Sequence, residues 1–148
     1  MKNTIRGLLA MLVLASTSVF ADSIGNEAIK ALSVWTNQNG STLYIDSISD
    51  AGQISGRYIN RATGYNCRDI AYPVVGWIYG TAISFATLWQ SQTESCNSIT
   101  SWTGFYYKGQ ISTLWQLTIN GSTSPKQILK GSDIFKQAAK SDKKSLVR

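Results

Sequence analysis

Hydrophobic and polar residues alternate along most of the chain, and the alternation breaks at short clusters rich in Gly, Asn, Asp and Ser. A period of two between turn signals predicts half-buried β-strands. Eight such runs follow one another: Val34–Asn37, Ser41–Ile48, Gln53–Asn60, Tyr72–Tyr79, Thr81–Gln90, Ser98–Tyr107, Gln110–Asn120 and a last one within Lys126–Gln137. Gln38-Asn39-Gly40, Ser49-Asp50-Ala51-Gly52, Gly80 and Lys108-Gly109 supply tight turns, whereas Arg61–Ala71, Ser91–Asn97 and Gly121–Pro125 are longer loops. Pro73 implies that the first residues of the fourth run lie outside a central ladder, since proline donates no N–H. No helical pattern separates the runs. The expected fold is therefore all-β, an eight-stranded antiparallel up-and-down β-barrel whose closure removes exposed sheet edges.

The faces of these strands carry the functional signal. In the second run Ser41, Leu43 and Ile45 share one face, and Thr42, Tyr44 and Asp46 the other. In the sixth, Ser98, Thr100, Trp102, Gly104 and Tyr106 fall together. Two hydroxyls leading to an indole fit either a half-solvated strand or the wall of a pocket with a polar end. Collected around the barrel, the inward positions are Asn37, Ser41, Tyr58, Asn60, Trp89, Ser98, Thr100, Trp102, Trp115 and Asp133. A buried polar group without a partner costs about 1–3 kcal/mol. Either these groups pair among themselves, or a small ligand with a compact polar head completes them; the density of polar groups favours the ligand.

Composition narrows the class. Charged residues make up only 15% of the chain and no histidine is present, which removes imidazole acid–base chemistry and leaves a metal site short of ligands. No pair of carboxylates is spaced for glycoside cleavage, so an enzyme is not expected. Lys2 and Arg6, the apolar run Leu8–Ala15 and the small residues ending Val19-Phe20-Ala21 read as a signal peptide over residues 1–21; the apolar run is too short to span a membrane. That implies a secreted or periplasmic protein with a leader at 22–33, a barrel at 34–137 and a flexible basic tail at 138–148. In that oxidising setting Cys67 and Cys96 are expected to form a disulfide, either a clasp across the mouth of a site or a staple for stability alone. Of the formal charge of +6, the region Asp22–Phe135 contributes nothing, having seven basic and seven acidic residues. The excess lies in the two ends and does not interleave with aromatics, so nucleic acid is not an expected partner.

Several stretches, in order and at matching spacing, resemble the avidin and streptavidin biotin-binding family: Trp35-Thr36-Asn37-Gln38-Asn39-Gly40-Ser41, Gly56-Arg57-Tyr58, Trp89, Ser98-Ile99-Thr100-Ser101-Trp102-Thr103-Gly104, Thr113-Leu114-Trp115 and Gly131-Ser132-Asp133-Ile134-Phe135. The resemblance implies a site for biotin, a ligand rather than a cofactor. Asn37, Ser41 and Tyr58 would donate to the ureido oxygen, Asp133 and Asn60 would accept from the ureido nitrogens, Thr100 would meet the sulfur and Ser98 the carboxylate. Trp89, Trp102 and Trp115 would enclose the ligand, Trp35 would fill the core, and Trp77 would lie at a surface or subunit contact. Tetrameric relatives close the pocket with a neighbour's Trp eight residues before the aspartate, where this chain has Pro125. Cys67, Cys96 and the Asn60–Cys67 loop resemble those of the bacterial dimeric avidins, which implies a homodimer with Tyr65 as an aromatic lid. Two further readings stand beside this one. A lipocalin-like carrier of an apolar ligand would not need so many converging polar groups. A surface-interaction protein would act through the basic tail.

Overall fold

The computed structural model of the chain describes residues 29–138. The expected signal peptide, the leader up to residue 28 and the tail from residue 139 lie outside the described residues. Eight strands run in chain order: β1 (Ser33–Thr36), β2 (Thr42–Ile48), β3 (Gln53–Ile59), β4 (Ala71–Tyr79), β5 (Ala82–Trp89), β6 (Ser98–Tyr107), β7 (Gln110–Ile119) and β8 (Leu129–Gln137). Each pairs antiparallel with the next, and β8 returns to β1, closing the barrel. A 3₁₀ turn, Pro125–Gln127, precedes β8. Ser124 caps it by accepting from the Lys126 N–H at 3.3 Å, and the Gln127 amide oxygen takes the N–H groups of Thr123 and Ser124.

Alternate connections of an up-and-down meander lie at opposite ends of the barrel. The longer segments after β1, β3, β5 and β7 gather at one end, and the tight turns after β2, β4 and β6 at the other. Gly52 shows why the tight end is tight: its φ is +78°, and a Cβ there would collide with the Ile78 carbonyl oxygen, so only glycine fits. Apolar side chains fill this closed end. Trp35, Leu43, Phe85, Ile111 and Phe135 are all buried, and Trp102 stacks on Phe85 with ring centroids 4.9 Å apart. The open end holds the polar inward residues.

Two local departures from simple alternation have physical causes. In β2, Thr42 and Tyr44 are buried although they face away from Leu43 and Ile45. The Arg57 guanidinium lies 4.6 Å over the Tyr44 ring while pairing with Asp46, and Arg61 donates to the Thr42 hydroxyl at 2.6 Å. Arginine stems and planes therefore cover the outer face. Pro73 sits within β4 opposite Arg57, but β4 meets β5 only from Val74 onward. The ladder there is one-sided, as the missing N–H requires.

Candidate ligand-binding site

A cavity of about 460 Å³ opens at the end of the barrel that carries the longer loops, within the size range of small-ligand pockets. Every residue expected from the sequence to bind or enclose a ligand lines it. Asn37 and Ser41 come from the β1–β2 connection, Tyr58 from β3 and Asn60 from the residue after it. Trp89 ends β5, Ser98, Thr100 and Trp102 alternate along β6, Trp115 comes from β7 and Asp133 from β8. The ladder explains the convergence, since Trp89 is paired with Ser98, Trp102 with Trp115 and Thr113 with Asp133.

Asp133 is buried, 5% exposed. Its Oδ1 accepts from Asn37 Nδ2 at 3.0 Å and Gln38 Nε2 at 3.0 Å, and its Oδ2 accepts from the Trp102 indole N–H at 2.9 Å. An ionised carboxylate offers about four acceptor directions, so Oδ2 keeps one more. Asn37 is fixed in orientation, because its Oδ1 accepts the backbone N–H groups of Asn39 and Ser41 at 3.0 and 2.9 Å. That Asx turn leaves Nδ2 facing the cavity, 3.4 Å from the Tyr58 hydroxyl. Burial, and then the nearby Asp133 charge, push the Tyr58 phenol well above its ordinary value of 10.0. It therefore stays a neutral O–H donor. The Ser41 hydroxyl lies beside it, accepting from the Arg61 N–H at 2.9 Å.

Asn60 shows a use that its position in the sequence did not suggest. Its amide oxygen, the atom expected to accept from a ligand, also accepts from the Ala62 N–H at 3.0 Å and from Ser41 Oγ at 3.4 Å. It thus shapes the start of the β3–β4 loop as well as the wall. Thr100 is oriented by the Trp89 indole N–H, which donates to its hydroxyl at 2.8 Å. Ser98 donates to the Cys96 carbonyl at 2.8 Å. The aromatic wall is interlocked: Tyr58 lies 4.8 Å from Trp102 and edge-on to Trp89 at 5.8 Å. Trp115 lies against Gly131, where a Cβ would enter its ring.

At the mouth, Cys67 and Cys96 are bonded, their Cα atoms 6.0 Å apart. Cys96 lines the cavity and Cys67 is fully buried behind it, so the bridge joins two rim loops. Asn66 donates to the Ser95 carbonyl at 3.1 Å, and the Cys67 N–H donates to the Glu94 carboxylate. These contacts favour the clasp over the simple staple. Tyr65 reaches the rim and is 43% exposed. Trp35 is buried in the core and Trp77 is exposed outside the cavity, as expected for each.

Other contributors escaped sequence reasoning. Leu117, Ile119 and Leu129 form an apolar side of the mouth; the first two share the period-two face of Trp115, so their signal was present. Gln38 and Glu94 act through side chains in irregular segments, where no periodicity marks them. Among the described residues no group of His, Cys, Asp and Glu could hold a metal ion, and no helix is long and apolar enough to cross a membrane.

Comparison with known proteins meets this geometry. The sequence model of the Avidin family matches residues 26–138. Afifavidin of Afifella pfennigii is 38% identical over 134 residues, covering 83% of this chain and 82% of that protein. The crystal structure of apo shwanavidin is similar with a TM-score of 0.72 at 60% identity, over 76% of this chain and all of that one. The crystal structure of the rhizavidin–biotin complex is similar with a TM-score of 0.66 at 40% identity, over 74% and 93%. A closed eight-stranded barrel, an open-end cavity with the ordered motif residues on its walls, and a match across nearly the whole described region give one conclusion: the chain belongs to the avidin family.

Proposed function

We propose that the chain is a non-catalytic biotin-binding protein that sequesters or scavenges free biotin outside the cytoplasm. The observation that carries this is one cavity in which a hydrogen-bonded polar floor, built on Asn37, Tyr58 and Asp133, meets a wall of three indoles. The rhizavidin–biotin complex has the same kind of barrel. Asn37, Ser41 and Tyr58 donate to the ureido oxygen. Asp133 accepts from one ureido N–H through the free direction of Oδ2, and Asn60 accepts from the other. Thr100 meets the ring sulfur and Ser98 the carboxylate, while Trp89, Trp102 and Trp115 enclose the ligand and Tyr65 covers it. Polar groups already paired to one another lose little mobility on binding, which is how preorganisation strengthens affinity. The polar floor also sets this reading above an apolar carrier.

The working unit in this proposal is a homodimer. Strands β4 to β7 contain no charged residue, and their outer face exposes Val75, Trp77, Leu88, Ile99, Phe105 and Leu114. An uncharged apolar surface of this kind suits a self-complementary contact.

Biotin titration followed by tryptophan fluorescence tests the function. The expected outcome is a change that saturates at one biotin per chain; no change at micromolar biotin overturns the proposal.

A further inference from the structure

The β1–β8 seam is the weakest joint of the barrel. Only Trp35 and Thr36 pair with β8, opposite Gln137 and Lys136, and an additional bond runs from the Ala138 N–H to the Val34 carbonyl at 2.8 Å. Beyond Thr36 the backbone turns into the β1–β2 connection, and the β8 edge beside Asp133 has no strand to pair with. The carboxamide of Gln38 stands there instead. Its Nε2 donates to the Ser132 carbonyl at 3.1 Å, and its Oε1 accepts the Ile134 N–H at 2.9 Å. In a continued antiparallel ladder the backbone of the two residues flanking the one opposite Asp133 would supply these two bonds, one accepting from the Ile134 N–H and the other donating to the Ser132 carbonyl, so the single carboxamide covers both. The second Nε2 proton reaches Asp133 Oδ1 at 3.0 Å.

We infer that Gln38 is a positioning residue for the ligand site: its side chain stands in for a missing strand residue and fixes the Asp133 carboxylate in both place and direction. Three contacts hold it. Two set the backbone on either side of Asp133, and the third turns the carboxylate so that Oδ1 faces the seam and Oδ2 faces Trp102 and the cavity. Gln38 itself does not line the cavity, so its effect on a ligand passes through Asp133. This inference rests on the biotin-binding reading and adds to it a residue outside the pocket.

The test is a double-mutant cycle of Gln38→Ala and Asp133→Ala, read as the rate of biotin dissociation from the full mature chain. Gln38→Ala is expected to speed dissociation about 10-fold or more, on the scale of a lost hydrogen bond to a charged group, with one biotin still bound per chain. In the Asp133→Ala background the same change is expected to alter the rate by less than about 3-fold. Gln38→Met, which keeps the length and packing of the side chain, should repeat the pattern and replaces Gln38→Ala if that variant does not fold. An equal effect of the Gln38 change in both backgrounds, or an unchanged rate in the first, overturns the inference. Failure of the unaltered chain to bind biotin overturns the parent reading and this one with it.

Discussion

Thr87 is 1% exposed, faces the barrel interior, and its hydroxyl has no hydrogen-bond partner among the described residues. It is not part of the cavity lining, so its polarity serves no evident purpose at the site. Thr87→Val is expected to raise the free energy of unfolding by about 1 kcal/mol, because an unmatched hydroxyl is replaced by a methyl of similar shape. The check is a shift in the denaturation midpoint at unchanged m-value. Tyr58 makes the opposite case, a polar group held in its useful form. Burial and Asp133 raise its phenol above the ordinary 10.0, so above that pH the folded chain retains a proton that the unfolded chain loses. Linkage then makes stability fall as pH rises past about 10. In an absorbance titration, the Tyr58 phenol should stay protonated until the barrel opens. Gly131 supplies a third test. A methyl there would push into the Trp115 ring, so Gly131→Ala should displace one indole wall and weaken biotin binding about 10-fold or more.

The rim loops work as a pair. The bond between Cys67 and Cys96, at a separation of 29 residues, is reinforced by the Asn66–Ser95 and Cys67–Glu94 contacts. Replacing both cysteines by serine should cost about 3–4 kcal/mol of stability on the loop-entropy model. It should also speed biotin dissociation, measurable by chase with excess unlabelled ligand. The barrel strands and their inward residues were legible because period-two alternation and hairpin residues are local signals: Asp50 and Gly52 mark one turn, Lys108 and Gly109 another. Thr42 and Tyr44 were not legible as buried, since their cover comes from Arg57 and Arg61 on the neighbouring strand and the loop after it. Gln38 falls inside a motif yet shows no sign of its role there, because its partners lie about 95 positions away on β8. Sequence spacing carries no trace of such a contact until the barrel closes.

The described barrel has one flank whose strands carry no charge and one open end. If the outer face of β4 to β7 is where two copies meet, Trp77→Lys combined with Leu114→Lys should convert a dimer to a monomer in sedimentation at micromolar concentration. One biotin per chain should still bind, since neither residue lines the cavity. The seam has a different consequence. The chain enters β1 and leaves β8 at the closed end, where the Ala138 N–H meets the Val34 carbonyl at 2.8 Å. A partner fused directly before β1 or after β8 would therefore be joined on the side opposite the cavity mouth. The start of β1 and the finish of β8 are also near enough to be spliced by a short linker, with new termini cut at the Lys108-Gly109 hairpin. A circularly permuted barrel of this kind would keep every strand neighbour and leave the mouth loops intact, so the fold can be tethered, fused or re-cut from behind without obstructing the pocket.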